Sequence, residues 1–227
     1  MILMDVLPVA LLGALLGMDV VTFPQAMISR PIVAATLAGA FIGSATAGLT
    51  VGATLELLAL GMLPFGASKY PEWGSASVVG GVLYASQVGD PPGALPASVL
   101  AALLTAVVSG WSMIKLRRFN AARAARERAA LDAGSADAIV GLQLFGLTGD
   151  FLRGGLVTLV AMLVSRPLVA AVAGMWQSNM TYSRAIVVTL AAAVAAGAVW
   201  KIFHAVPGAR ILFLAGFAVG ITLIMIQ

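Results

Sequence analysis

Cysteine is absent from the 227 residues of this chain, and histidine occurs once, at position 204. The lack of cysteine excludes disulfides, thiolate metal sites and a cysteine nucleophile. A single histidine without cysteine also argues against a zinc or haem centre, so we predict no metal ion and no cofactor. His204 stands beside Lys201 at the predicted edge of a membrane segment, where we expect an interfacial histidine rather than a phosphoryl acceptor or proton relay.

Charged residues are scarce as well, at 10% of the chain, whereas apolar residues make up 61%. A soluble domain has about 25% charged and roughly 45–50% apolar residues, so this composition excludes an ordinary soluble domain. At ~20 residues per membrane-spanning helix, the length allows about six to eight apolar segments. We predict an all-α protein, residues 1–227 forming a single membrane domain. It is a polytopic transmembrane helix bundle with broken or re-entrant helical hairpins.

The few charges are unevenly distributed. The net charge of the whole chain is +4, but residues 115–128 contain six basic residues and one acidic residue, so the rest of the chain carries −1. A basic segment between apolar runs is typical of a cytoplasmic loop, because cationic side chains resist translocation. The alternative is an RNA- or lipid-binding patch, which would need interleaved aromatic residues or a partner surface. We expect a topological role and no nucleic-acid partner.

This basic segment divides the predicted domain into three parts. Residues 1–114 form an N-terminal half with a helical hairpin, residues 115–138 a basic cytoplasmic loop, and residues 139–227 the C-terminal helices. Within the last part, Ser165, Arg166 and Pro167 interrupt an apolar run, which predicts an interfacial stretch over residues 165–184. No basic start precedes the first apolar run, so we expect it to stay in the membrane.

The hairpin is predicted from residues 32–63, which carry one formal charge and five glycines. A straight helix of this length would reach about 48 Å, well beyond a ~30 Å hydrocarbon core. Two shorter helices that meet near residues 44–50 fit better. Glycines four residues apart in this run allow helices to approach each other closely.

Glu56 is that one charge, and it is the most informative residue of the chain. An ionised carboxylate inside a membrane segment costs about 2.5–3.5 kcal/mol, so such a residue is a functional-site hypothesis by default. It could accept hydrogen bonds from sugar hydroxyls, bind a proton or sodium, or form an ion pair with Arg30. Asp19 and Gln25 precede the same hairpin and could converge on Glu56.

Motifs for nucleotide chemistry are missing. We find no Walker loop, no dinucleotide fingerprint and no nucleophile triad, so the chain is not expected to drive transport with ATP. We predict that the protein is not an enzyme and has no catalytic residue.

Three runs in the N-terminal half resemble a known family. They are Gln25–Ala34, Gly48–Gly61 and Pro64–Ala67. They are similar to the IIC subunit of the mannose/fructose/sorbose family of the bacterial phosphoenolpyruvate-dependent sugar phosphotransferase system. The resemblance is specific over residues 10–90 and rests on hydropathy order, the basic segment and size over residues 90–227.

The resemblance implies a channel subunit in the bacterial inner membrane. Such IIC subunits assemble with a IID membrane subunit, bind a hexose-type sugar and deliver it to a cytoplasmic IIB protein, which IIA phosphorylates and whose phosphohistidine modifies the sugar. An oligomer within membrane lipid is expected. By position, Glu56 corresponds to a sugar-coordinating carboxylate, Gln25 to a polar position before the Ser-Arg-Pro turn, and Gly66 and Ala67 to a tight turn near the sugar path.

The chain departs from the family pattern after Ala67, where residues 69–73 replace a polar loop that contains proline and acid, so the identity of the sugar stays open. Two other functions remain open as well. One is an ion-coupled secondary transporter in which Glu56 carries the coupling proton. The other is a membrane scaffold that does not transport and recruits soluble proteins through its basic segment.

Overall fold

The computed structural model describes residues 3–62, 69–87 and 89–226, and every regular element over these ranges is helical. A three-residue 3₁₀ turn, Leu60–Met62, follows the third helix. The α-helices, in chain order, are α1 Leu3–Met18, α2 Pro31–Phe41, α3 Ala45–Ala59, α4 Trp73–Ala85, α5 Ala94–Arg126, α6 Arg128–Asp132, α7 Ala136–Met175, α8 Met180–Phe203 and α9 Ala209–Ile226.

Four of the helical segments are long and apolar enough to cross a membrane: Ala45–Met62, Ala94–Arg126, Ala136–Met175 and Met180–Phe203. Three shorter apolar helices, α1, α2 and α9, accompany them. The all-α, polytopic transmembrane prediction is therefore confirmed. Helices satisfy their own backbone hydrogen bonds, which is why they are the form that an apolar chain takes in a bilayer.

The predicted hairpin is present, with its break slightly earlier than residues 44–50. Helix α2 ends at Phe41, Gly43 has φ +94°, and α3 begins at Ala45. Helix α2 has 11 residues, about 17 Å at 1.5 Å per residue, and falls short of a ~30 Å core. Helix α3, together with the 3₁₀ turn that follows it, runs from Ala45 to Met62 and is long enough to cross.

Close glycine packing holds this hairpin together. A Cβ on Gly48 would lie 2.2 Å from the carbonyl oxygen of Ala35, and one on Gly39 would lie 2.7 Å from the Cα of Gly48. The backbones of α2 and α3 therefore touch directly. Lipid supplies no hydrophobic drive for helix association, so close packing of this kind is what stabilises the contact between α2 and α3.

The prediction that residues 115–138 form a loop was wrong, because most of this basic segment is helical. Residues 115–126 continue α5, α6 follows, and residues 136–149 already belong to α7. Alanine and arginine, which dominate residues 121–130, are strong helix formers. We call residues 115–132 together with 136–149 the basic arm. Within it, the Arg123 guanidinium lies 4.5 Å from the centroid of the Phe145 ring.

The predicted interruption at residues 165–167 was wrong, although a helix break does lie within the predicted stretch of residues 165–184. Helix α7 runs through Pro167 to Met175, and the break comes only at residues 176–179. A proline inside a membrane helix is tolerated because neighbouring groups satisfy the freed backbone carbonyl. The Asn179 side chain then caps α8 by accepting from the backbone N–H groups of Thr181 and Tyr182.

Helix α4 lies at the centre of the bundle, with residues 73–84 all buried. Helices α1, α2, α3, α5 and α7 pack around it, whereas most side chains of α8 and α9 are exposed. Because α1 and α7 run antiparallel, with Gly13 against Thr158, the loop after α1 lies at the end from which the basic arm projects. We call this the arm end, and the end that holds residues 42–44 the tip end.

The glycine contact yields a stability prediction. Gly48→Ala places a methyl group against the backbone of α2, so we expect a loss of about 1–3 kcal/mol, the usual cost of overpacking. Thermal unfolding of the purified protein in detergent measures it. Gly141→Ala is the matched control, because a Cβ there meets nothing within 4 Å. A variant Gly48→Ala that melts with the parent would contradict the backbone contact.

Candidate functional site

Residues 19–30, between α1 and α2, are organised by the carboxylate of Asp19, which is 2% exposed. Its Oδ1 accepts from the backbone N–H of Ala26 at 2.7 Å. Its Oδ2 accepts from the backbone N–H and the hydroxyl of Ser29, at 2.9 and 2.7 Å. Both carboxylate oxygens are therefore hydrogen-bonded within residues 19–30, and Asp19 fixes the conformation of this segment. We call this set of hydrogen bonds the Asp19 brace.

The Asp19 carboxyl also has a shifted pKa. Burial alone would raise it, but the hydrogen bonds donated by Ser29 and Ala26 outweigh burial and bring the pKa below its ordinary value of 3.8. The charged form is the one that accepts these bonds, so the brace is held most firmly when Asp19 is ionised.

Glu56 closes the hairpin at the arm end. From α3 it reaches the start of α2, where Oε1 accepts from the Arg30 guanidinium and Oε2 accepts from the backbone N–H of Ile32 at 3.2 Å. Arg30 is the N-cap residue of α2, and Pro31 occupies the first helical position, where its missing N–H costs nothing. A carboxylate at a helix N-terminus is further favoured by the helix dipole.

The structure thus contains the Glu56–Arg30 ion pair, which is one of the roles predicted for Glu56. This pair is still accessible to solvent. The Glu56 side chain is 18% exposed and the Arg30 side chain 36%. A ligand hydroxyl can therefore reach both groups. This combination of acceptor and donor at one point suits a molecule that carries several hydroxyl groups.

The other predicted site residues stand in different positions. Gln25 is exposed, and its amide nitrogen donates to the Val21 carbonyl at 2.9 Å rather than to Glu56. Among the residues that the structure describes, no hydrogen bond joins Gln25 or Asp19 to Glu56. Gly66 and Ala67 lie outside the described residues.

A buried charge cluster at the arm end was missed from the sequence. We call Glu72, Asp150, Arg153 and Ser109 the arm-end cluster. Glu72, 1% exposed, caps α4 by accepting from the backbone N–H of Ser75 at 3.1 Å, and it accepts from the Ser109 hydroxyl at 2.6 Å. The Arg153 guanidinium donates to Asp150 at 2.8 Å and to Ser109 at 2.7 Å.

The arm-end cluster reaches the loop after α1, because the Thr22 hydroxyl donates to the second oxygen of Asp150. Two carboxylates share one guanidinium here, and over the described ranges the buried Nη2 atom of Arg153 finds no hydrogen-bond partner. The one available signal was the spacing of Asp150 and Arg153, three residues apart ahead of an apolar run. The partners on α4 and α5 are too distant in sequence to be read from such a pattern.

Beside this cluster lies a cavity of about 270 Å³ between the loop after α1, α5 and α7. Polar side chains on its wall are Thr22, Arg117, Asn120, Gln143 and Asp150. It opens at the root of the basic arm. Within the described ranges no group of three histidine or acidic side chains converges in a way that could hold a metal ion.

Comparison with known proteins places this architecture in a family. The family profile described as "PTS system sorbose-specific iic component" matches residues 3–226. The chain belongs to this family. As a IIC-family protein with four long apolar helices, it is a multi-pass protein of the inner membrane.

Individual relatives match this IIC-family chain over a shorter stretch. The sorbose-specific EIIC component of Klebsiella pneumoniae is 39% identical over 54 residues, which is 24% of this chain and 20% of that protein. The fructose permease IIC component of Bacillus subtilis is 43% identical over 54 residues, with the same two shares. The matched stretch thus spans about a fifth of the length of these relatives.

A solved structure of the mannose transporter ManYZ with microcin E492 shares the fold. It has a TM-score of 0.61 and 20% sequence identity, and the match covers 100% of this chain and 96% of that one. At this identity the likeness concerns the fold alone. It confirms the transmembrane bundle and says nothing of individual site residues.

The arm-end cluster gives a second stability prediction. Arg153→Met leaves Glu72 and Asp150 buried without their cation, and removing one partner of a buried charge group costs about 3–5 kcal/mol. We expect a large fall in thermal stability in detergent. Arg128→Met is the control, since it breaks the exposed Arg128–Asp132 pair, worth roughly 0–1 kcal/mol. Equal melting of the two variants would show that the cluster is not a stabilising network.

Proposed function

We propose that this chain is the membrane-channel subunit of a sugar phosphotransferase system, which binds and translocates a hexose-type sugar. The observation that carries the proposal is the position of Glu56. Its carboxylate is the one charge of the α2–α3 hairpin, lies against the start of α2 beside the break that separates α1 from α2, and is still 18% exposed. Backbone breaks at membrane depth are tolerated where they line a cavity, which makes such a junction the usual place for a transport site.

In this proposal Glu56 and Arg30 hold the sugar from one side. The carboxylate accepts hydrogen bonds from hydroxyl groups, and the guanidinium donates to hydroxyl or ring oxygens. Their mutual hydrogen bond orients both groups before the sugar arrives. Because both side chains are already ordered, sugar binding loses less side-chain conformational entropy.

Asp19 and Gln25 have different roles in this proposal. Asp19 is buried and fully engaged with Ala26 and Ser29, so we assign it the task of shaping residues 19–30 behind the sugar. Gln25 is exposed at φ +59°, and its amide would exchange the hydrogen bond to the Val21 carbonyl for one to a ligand. Gly66 and Ala67 stay in the proposal as a turn beside the sugar path.

The proposed partners follow from the family. A solved ManYZ complex names a mannose transporter of two proteins, which supports a IID subunit beside this chain. Phosphoryl transfer then belongs to soluble IIB and IIA proteins, and this chain acts as a transport subunit without a catalytic group of its own. The basic arm, on the cytoplasmic side by the positive-inside rule, faces those proteins.

Sugar binding tests the role of Glu56 directly. Glu56→Gln keeps the size of the side chain but removes its charge, and hydrogen bonds to charged groups contribute about 1.5–3 kcal/mol. We expect the affinity for the transported hexose to fall roughly 10- to 100-fold, and further in Glu56→Ala. Isothermal titration of the purified complex with the IID subunit measures it.

Two controls make this test specific. Asp132→Asn removes an acidic side chain that is 72% exposed on the basic arm, and it should bind as the parent does. Thermal unfolding of each variant shows whether the hairpin is still closed. If folded Glu56→Gln and Glu56→Ala both bind sugar as tightly as the parent, the assignment of Glu56 is wrong.

A second candidate function has an observation in its favour. The arm-end cluster buries two carboxylates against one guanidinium, an arrangement that could take up a proton or a cation during transport. An ion-coupled transporter would accumulate unmodified sugar in vesicles under an ion gradient, without phosphoenolpyruvate or IIB. A phosphotransferase subunit would not.

A further inference from the structure

A second polar cavity lies at the tip end of the bundle, away from Glu56. Its volume is about 400 Å³, and small-molecule sites typically measure roughly 300–1,000 Å³. The start of α3, the end of α4, the loop after α4 and the start of α8 line it. Ten residues of α3 separate Thr46 on its wall from Glu56, which is about 15 Å along the helix axis.

One wall of this cavity carries a linked set of polar groups. The Arg184 guanidinium, from α8, donates to the Tyr84 hydroxyl at 3.0 Å and to a carboxylate oxygen of Asp90. The other carboxylate oxygen of Asp90 is buried and has no hydrogen-bond partner among the residues that the structure describes. Tyr84 is 5% exposed, so its ring is held by the surrounding packing and its hydroxyl fixes the position of Arg184.

Other lining residues supply hydroxyl and amide groups. Ser44, Thr46 and Thr50 line it from α3, and Gln87 lines it from the loop after α4. The Ser44 side chain, at the N-cap position of α3, lines the cavity and makes no capping hydrogen bond within the described part of the chain, so its hydroxyl can bind a ligand there. Hydrogen-bond donors and acceptors therefore make up most of the cavity lining, and Ala47 and Ala85 are the apolar side chains among them.

This chemistry selects a small neutral molecule rich in hydroxyl groups. An anion would meet the Asp90 carboxylate, and a cation would meet Arg184. An apolar ligand would leave the polar walls unsatisfied. A sugar can use the carboxylate and the guanidinium together, and the pair is half exposed, so opening it costs little.

We infer that this tip-end cavity is a second sugar site, which receives the substrate on the outer face before it reaches Glu56. The inference rests on the proposed function, because it assumes that the transported molecule is a sugar. The side follows from the basic arm. With the arm in the cytoplasm, the tip end faces the outside.

Stoichiometry of binding tests the second site. The chain, purified with its IID subunit, is dialysed to equilibrium against radiolabelled D-mannose, D-fructose and L-sorbose in separate experiments. For the sugar that binds, we expect two equivalents per protomer in the parent. Asp90→Asn combined with Arg184→Gln should leave one equivalent, and so should Thr46→Trp, which fills the cavity without changing its charge.

Two further variants separate this inference from the proposed function. Glu56→Gln should also leave one equivalent, because it spares the tip-end cavity. Asp132→Asn combined with Arg128→Gln breaks an exposed ion pair elsewhere and should keep two.

The possible failures differ from each other. One equivalent in the parent, lost in Glu56→Gln and unchanged in the Asp90 and Thr46 variants, would overturn the second site and leave the proposed function standing. Loss of an equivalent in the Asp90 and Thr46 variants with none lost in Glu56→Gln would support the tip-end site and refute the role of Glu56. Sugar bound by the tip-end variants is itself the sign that they are folded.

Discussion

A helix that stops inside a bilayer leaves backbone N–H groups where no water can bind them, and each unsatisfied group costs several kcal/mol. This chain meets the constraint with acidic side chains at its breaks. Asp19 accepts from the backbone of residues 26 and 29, Glu56 from the start of α2, and Glu72 from the start of α4. The three carboxylates lie at the same end of the bundle.

The three carboxylates differ in their exposure to a ligand. This difference distinguishes the two residues that only stabilise the fold from the one that we assign to substrate binding. Asp19 and Glu72 are 2% and 1% exposed, and their oxygens are occupied by partners that belong to the fold. Glu56 is 18% exposed, beside a guanidinium that is more exposed still. A group that stabilises the fold can therefore also receive substrate, provided that its environment stays partly open.

Much of this arrangement could be predicted from sequence, because scarcity of charge makes single residues informative. Glu56 stood out as the one charge in 32 residues, and the glycines predicted a hairpin whose break was misplaced by only a few residues. The basic segment is helical rather than a loop, because alanine and arginine are strong helix formers whatever the charge of the segment. Pro167 does not end α7, because a membrane helix tolerates a proline when neighbouring groups satisfy the freed carbonyl.

The arm-end cluster was beyond such reasoning for a physical reason. Its members come from the loop before α4, from α5 and from α7, and Glu72 and Arg153 are 81 positions apart in the chain. Only the packing of these elements brings them together. Neither the spacing of residues within a helix nor the hydropathy profile encodes contacts of that range.

Protection of Glu56 from chemical modification is the most direct test of the central claim that substrate binds at Glu56, beside the start of α2. A carbodiimide would label the carboxylate in the purified complex with its IID subunit, and mass spectrometry would follow the rate at Glu56 and at exposed Asp132. We expect the transported hexose to slow labelling at Glu56 and to leave Asp132 unaffected. An unchanged rate at Glu56 with sugar bound would contradict the claim.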